Sequence, residues 1–209
     1  MTKRSQQIKE LFLANYPSSV SELQYTNLYE LVTAVMLSAQ CTDKRVNILT
    51  PALFEKYPDT KTLAEADIQD IKGLIKSCSF FNNKAKNLLG FAKRVEDVYG
   101  GVIPDTQKDL ITLPGVGQKT ANVVLIEYFK HNLMAVDTHV FRVSHRLGLS
   151  YATTAAGTEK DLVKRFETDL SSLHQAMVLF GRYICTAKNP KCDQCFLTAY
   201  CKSKKSYKV

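Results

Sequence analysis

The sequence predicts an all-α fold. Apolar residues recur at three-and-four spacing through several segments, those segments are bounded by capping and stop residues, and strand-like alternation is confined to one short stretch. Leu28, Leu31, Val32, Val35 and Met36 fall on one face of a helix, and so do Ile68, Ile71, Leu74 and Ile75. Leu88, Leu89, Ala92, Val95 and Val98 follow the same rule, and their run stops at Tyr99-Gly100-Gly101, where glycine supplies a C-terminal cap. Pro104-Asp105-Thr106 then restarts the chain, with Asp or Thr available to cap the next amides. Two stretches carry both signals. Val123 to Ile126 is rich in β-branched residues, yet Ala121, Val124, Leu125 and Tyr128 also share a helix face. Met134, Val136, Thr138 and Val140 alternate as a strand would. Both are expected to be helical or to lead into a helix.

The chain has 209 residues, 45% of them hydrophobic, enough to bury a core and to exclude disordered, collagenous or disulfide-scaffold classes. No repeat, low-complexity tract or long linker divides it. The basic start, Met1 to Gln7, is not followed by the apolar run of a secretory signal. The longest apolar stretches, Leu31 to Ala39 and Val123 to Phe129, are too short and too interrupted to span a bilayer. A cytoplasmic protein without a membrane partner is therefore expected.

In a reducing compartment, six cysteines are read first for metal binding or catalysis. Cys185, Cys192, Cys195 and Cys201 are spaced x6, x2, x5, whereas Cys41 and Cys78 stand apart and read as small buried hydrophobes. Four thiolates in one loop-rich segment can converge on a zinc ion or a cubane cluster. Only Cys192 and Cys195 form a zinc-type knuckle, and a ferredoxin run is absent. Charge gathers here as well. The formal balance is +8, and Gly181 to Val209 contributes +6 through Arg182, Lys188, Lys191, Lys202, Lys204, Lys205 and Lys208 against Asp193. Lys188 and Lys191 lie inside the cysteine loop, where a metal centre would fix their direction toward phosphates.

The sharpest motif is Leu113-Pro114-Gly115-Val116-Gly117-Gln118-Lys119-Thr120-Ala121. Gly115 and Gly117 around Val116 allow a tight turn whose amides can meet a phosphate without side-chain obstruction. This is similar to the helix-hairpin-helix element that grips a DNA strand. Lys119 begins the next helix, where the positive helix end favours the neutral amine that a nucleophile requires. Asp137, in Val136-Asp137-Thr138-His139-Val140-Phe141-Arg142-Val143, reads as a helix N-cap. Its second oxygen would remain available for chemistry.

Lys119, Asp137 and the four cysteines, together with Leu37-Ser38-Ala39-Gln40-Cys41-Thr42-Asp43, resemble the endonuclease III family of DNA glycosylases in residue order and over nearly the whole chain. The resemblance implies two helical domains flanking a DNA-binding cleft: a six-helix domain over 21–131, and a second built from 1–20 and 132–209 that carries a [4Fe-4S] loop. It implies cluster ligation by Cys185, Cys192, Cys195 and Cys201. Lys119 would be the Schiff-base nucleophile and Asp137 the carboxylate assisting attack and base departure. Oxidised pyrimidines would be removed from double-stranded DNA, and abasic sites nicked by β-elimination, by a monomer associated with the nucleoid. Gln40 would fill the gap left by the flipped nucleotide, and His139 would lie near the DNA backbone.

Two departures stand out. Ser79-Phe80-Phe81 replaces the Gly-Leu-Tyr common in bacterial relatives, which puts Phe80 where an aliphatic wedge probes the opposite strand. Ile111 stands where relatives often carry Glu. The competing readings are an adenine-mismatch glycosylase, a zinc-stabilised DNA-binding module without catalysis and an iron–sulfur electron carrier. The first usually lacks lysine at position 119 and carries a further C-terminal domain, and the hairpin argues against the last.

Overall fold

The computed structural model describes residues 1–17 and 21–203, and among them every regular element is helical. The chain begins with α1 (Lys3–Asn15), continues through α2 (Leu28–Ser38), α3 (Asp43–Lys56), α4 (Thr60–Ala64) and α5 (Ile68–Leu74), and then forms the long α6 (Phe81–Tyr99). The single turn α7 (Gln107–Leu110) precedes α8 (Gln118–Glu127), and α9 (Thr138–Arg146), α10 (Ala155–Phe166) and α11 (Leu170–Tyr183) follow. Two 3-10 turns, Cys192–Gln194 and Thr198–Tyr200, lie in the cysteine loop. Among the described residues no helix is long and apolar enough to cross a membrane.

Polar side chains start most of these helices. Thr2, Asn27, Thr42, Asp59, Asp67, Thr106, Asp137 and Thr154 each accept a first-turn amide of the helix that follows. The restart at Thr106 and the stop at Gly100, whose φ is +60°, both agree with the sequence. Of the two ambiguous stretches, Val123 to Ile126 is helical within α8, while Met134 to Val136 is non-helical chain entering α9. Val98 is 54% exposed although it extends the apolar run of α6, because it lies at the margin of the stripe in the last turn.

The fold divides into two compact units, residues 1–20 with 130–209 and residues 21–129. In the second, α2 is buried nearly all round and packs against α3, α6 and α8. Seven helical segments make up this unit, one more than the resemblance implies, and α7 is only one turn. In the first unit, α1 joins α9, α10 and α11 around Ile8, Phe12, Val143, Leu162, Met177 and Phe180. Phe196 of the cysteine loop packs into the same core, 5.8 Å from the Phe12 ring and 5.1 Å from that of Phe180. That contact anchors the loop to the helices by apolar burial.

Candidate functional site

The hairpin in residues 21–129 uses its two glycines for different reasons. Gly115 has φ +81°, and a Cβ there would stand 2.7 Å from Asn87 Cβ and 2.8 Å from Met36 Cε, so the fold itself requires glycine. At Gly117, φ is −86° and a Cβ would meet nothing within 4 Å. The fold makes no such demand at that position, yet Gly117 leaves the start of α8 without a side-chain cap and its first amides open. Val116, expected among the DNA-contacting residues, turns its side chain into the core at 4% exposure and donates its N–H to Leu113 O at 3.0 Å. Its contribution is to anchor the hairpin, because neither side chain nor amide is left to meet a ligand. Lys119, the second residue of α8, is exposed and has no partner among the described residues. Ile111 is also exposed, at 49%.

Gln40 and Phe80 share an uncommon backbone. Gln40, beyond the end of α2, has φ +54°, and Phe80, at the start of α6, has φ +58°. Neither residue type favours this left-handed region, so surrounding structure must hold both. Both are exposed, Phe80 by 63%, an unusual setting for a large apolar ring. Cys78 nearby is buried as expected, whereas Cys41 is half-buried. Burial pushes the Cys78 thiol up, which keeps it a neutral thiol.

In the other unit Asp137 caps α9. Its Oδ1 accepts from His139 N–H and from Val140 N–H, each at 2.8 Å, and Oδ2 has no partner among the described residues. The carboxylate is therefore oriented through one oxygen while the other stays available. His139 Nδ1 lies 3.2 Å from Arg142 Nη2. A guanidinium can only donate, so Nδ1 accepts and the neutral ring carries its proton on Nε2. Close packing fixes this turn as well, since a Cβ at Gly181 of α11 would approach His139 Cβ to 2.8 Å.

The cysteine loop is tied to α9 by two arginines that motif reading does not single out. Arg142 donates to Gly181 O at 2.7 Å and to Cys185 O at 2.9 Å. Arg146 reaches Thr186 O at 2.8 Å, Ala187 O at 3.1 Å and the Cys185 sulfur at 3.2 Å. Their only sequence signal is a four-residue spacing on one helix. All four loop cysteines are half-buried and free of disulfides. Burial first, then the neighbouring Cys185 and Cys201, raise the Cys192 thiol; the same burial and neighbours raise Cys195 against local hydrogen bonds. Such mutual repulsion fits a donor set built to be offset by a cationic core. Among the described residues, no three His, Cys, Asp or Glu side chains are gathered tightly enough for a single metal ion. A cubane gives each cysteine its own iron, so a [4Fe-4S] cluster would take one ligand from each of the four.

Lys188 and Lys191 are exposed on this loop. Their backbone is held: Thr186 Oγ1 donates to Lys188 O at 2.8 Å, and Lys191 N–H donates to Ile184 O at 2.9 Å. Lys204, Lys205 and Lys208 lie outside the described residues.

Comparison with known proteins agrees with this geometry. Residues 33–168 match the HhH-GPD superfamily base excision DNA repair protein family, and residues 185–201 match the iron–sulfur binding domain of endonuclease III. The chain is 42% identical over 210 residues to endonuclease III of Synechocystis sp., covering 97% of this chain and 95% of that one. It is 46% identical to endonuclease III of Rickettsia felis, covering 93% and 92%. A solved structure of a trapped endonuclease III–DNA covalent intermediate superposes with a TM-score of 0.93 at 38% identity, covering 99% of both chains. The chain thus belongs to the endonuclease III family within the HhH-GPD superfamily of base excision DNA repair proteins, and it is a DNA glycosylase and abasic-site lyase that carries a [4Fe-4S] cluster.

Proposed function

We propose that the protein removes oxidised pyrimidines from double-stranded DNA and nicks the resulting abasic site, with Lys119 as nucleophile and Asp137 as its assisting carboxylate. The observation that carries the reading is the state of these two side chains. Lys119 is exposed without a partner at an uncapped helix start, and Asp137 is oriented by two amides through one oxygen only. A capping carboxylate held in this way keeps its direction while its other oxygen can accept a proton or face a developing cation.

In the reaction, the target nucleotide leaves the stack, at a cost lowered by damage to the base. The neutral Lys119 Nζ attacks C1′, and the C1′–N bond breaks with its electron pair leaving on the base. Asp137 Oδ2 faces the positive charge that develops on the sugar and accepts the proton shed by the attacking amine. The C1′–O4′ bond then breaks as O4′ takes the proton held by Asp137, and the protonated imine so formed acidifies the C2′ hydrogen, whose loss expels the 3′ phosphate by β-elimination. One covalent intermediate therefore serves both base removal and strand cleavage.

The open amides at Gly117 and the start of α8, with Lys188 and Lys191, would hold phosphates, and His139 would reach the backbone through Nε2. Gln40 and Phe80 would occupy the gap in the duplex. Cys185, Cys192, Cys195 and Cys201 would hold the cluster, which supplies a rigid anchor for the basic loop. On this reading the enzyme acts as a monomer at the nucleoid in the cytoplasm.

Borohydride reduction in the presence of duplex DNA containing thymine glycol or an abasic site tests the assignment. The wild-type protein should give a covalent adduct that Lys119→Ala abolishes. No adduct from wild type, or an undiminished one from Lys119→Ala, overturns it.

A further inference from the structure

Lys84 is a buried lysine, 7% exposed, in the first turn of α6. Its Nζ donates to Leu37 O at 2.7 Å, to Ala39 O at 2.6 Å and to the Cys78 sulfur at 3.1 Å. Its own backbone N–H donates to Phe80 O at 3.1 Å. Cys78 completes the arrangement by donating its thiol hydrogen to Leu37 O at 3.4 Å.

These contacts are of an unusual kind. Among the described residues the ammonium has no carboxylate partner; two carbonyls and a neutral thiol satisfy it. It also sits near the N-terminus of its own helix, where the backbone dipole disfavours a cation, and is compensated by the carbonyl end of α2. An apolar side chain of similar length could fill the space without desolvating a charge. What the charge adds is a three-way tie between two chain segments. One segment ends at Ala39, directly before Gln40, and the other includes Cys78, two residues before Phe80. Gln40 and Phe80 are the two exposed residues of this unit held at positive φ near those ties.

We infer that Lys84 is a positioning residue that fixes the Gln40 and Phe80 tips relative to each other, so that both enter the duplex together when the target nucleotide leaves it. The inference rests on the reading above that these two side chains fill the gap. Lys84 is placed to touch neither DNA nor the reacting atoms, and acts through the backbone at Leu37 and Ala39 and through Cys78, two residues before Phe80.

The test uses the cluster-containing enzyme at saturating concentration and measures single-turnover borohydride trapping on an abasic site in a duplex and on the same strand alone. Only the duplex has a gap and an estranged base. Lys84→Met should slow trapping on the duplex about tenfold or more and leave the single strand within about twofold, because misplacing the tips affects only the substrate that needs them. Lys84→Arg, which retains the charge and several donors, should recover most of the duplex rate. In the wild type, 2-aminopurine opposite the abasic site should brighten on binding as it is unstacked, and Lys84→Met should lose that rise. Equal slowing on both substrates would reduce Lys84 to a fold-stabilising residue, and no slowing on either would remove its role; either overturns the inference. Should Lys84→Met not fold, Lys84→Gln is measured in its place under the same criteria. Gln40→Ala and Phe80→Ala separate the two levels. If they lower the duplex-to-single-strand ratio and Lys84→Met does not, only the inference fails; if they leave it unchanged, the reading of the tips fails and the inference with it.

Discussion

Arg146 donates to the sulfur of Cys185 at 3.2 Å, and the same guanidinium caps the carbonyls of Thr186 and Ala187. One side chain thus donates to a proposed cluster ligand and sets the course of the loop that follows it. Arg146→Met should weaken cluster retention on the order of tenfold, the usual effect of losing a hydrogen bond to a metal ligand. Visible absorbance per polypeptide after gel filtration with a mild chelator reads the outcome. Retention equal to wild type would mean that the four cysteines suffice without the arginine.

On the proposed mechanism Asp137 has two separable duties, capping and catalysis. Asp137→Asn keeps an oxygen to accept the His139 and Val140 amides, so thermal stability should change little while turnover falls by about 100-fold or more at unchanged DNA affinity. Asp137→Ala should lose turnover and a further ~1 kcal/mol of stability with the cap. Single-turnover nicking and thermal melts of the two variants distinguish these effects. Unchanged turnover in Asp137→Asn would leave capping as the residue's whole role.

The hairpin glycines should respond differently to alanine. Gly115→Ala imposes a positive φ on an L side chain and drives Cβ into Asn87 and Met36, costing about 2 kcal/mol. Gly117→Ala meets open space and ordinary backbone, so stability should stay within about 0.5 kcal/mol. DNA affinity should nevertheless fall, because the methyl group would stand where a phosphate approaches. Chemical denaturation together with fluorescence anisotropy on duplex DNA checks both outcomes.

Lys191 projects from a loop whose backbone is fixed by its amide bond to Ile184. Lys191→Ala should weaken binding uniformly across sequences and lower the magnitude of the slope of log affinity against log salt by about 1. An identical slope would mean that this lysine neutralises no phosphate.

Asp169 forms an ion pair with the buried Lys9 at 2.6 Å. The hydrogen bond from Lys9, then that from Thr168, holds the Asp169 carboxyl below its ordinary range. A depressed folded-state value gives stability that is present above the ordinary carboxylate range and lost as pH falls through the folded-state value. Asp169→Asn should therefore melt below wild type near neutral pH, by less than about 1 kcal/mol because Asp169 is half-exposed and screened. The difference should close in acid. Melting curves across pH measure it, and a gap that persists at low pH would assign the effect to packing instead of charge.

Much of the fold was legible because α5 and α6 bury one face each and so write a three-and-four rhythm into the chain. The rhythm is less informative in α2, which is buried on nearly every side, and in Met134 to Val136, where alternation reflects an apolar lead-in and not a strand. Lys119, Asp137 and the cysteines were legible as candidates because local motifs surround them. Lys84 was not, since Phe81-Asn82-Asn83-Lys84-Ala85 reads as an ordinary solvated helix start. Its two carbonyl acceptors lie more than forty residues away in sequence, and the loop carbonyls of Cys185 and Thr186 that Arg142 and Arg146 reach lie forty or more away. Motifs report what a residue could do chemically, whereas backbone acceptors brought together by folding leave no trace in side-chain identity.

The position of α1 bears on the order in which the molecule can form. Residues 21–129 are one uninterrupted stretch, and their contacts can be made as soon as that stretch leaves the ribosome. By contrast, Lys9 bonds to Thr168 across a separation of 159 residues, and Arg4 to Tyr200 across 196. α1 must therefore wait for Thr168 and Tyr200 to be made before it has these partners, and Ile8 and Phe12 wait with it for the rest of their core. The core that Phe196 and the loop cysteines pack against accordingly closes only after the loop is made, so a nascent chain stalled before Cys185 would hold every residue of the hairpin unit but none of the four loop cysteines.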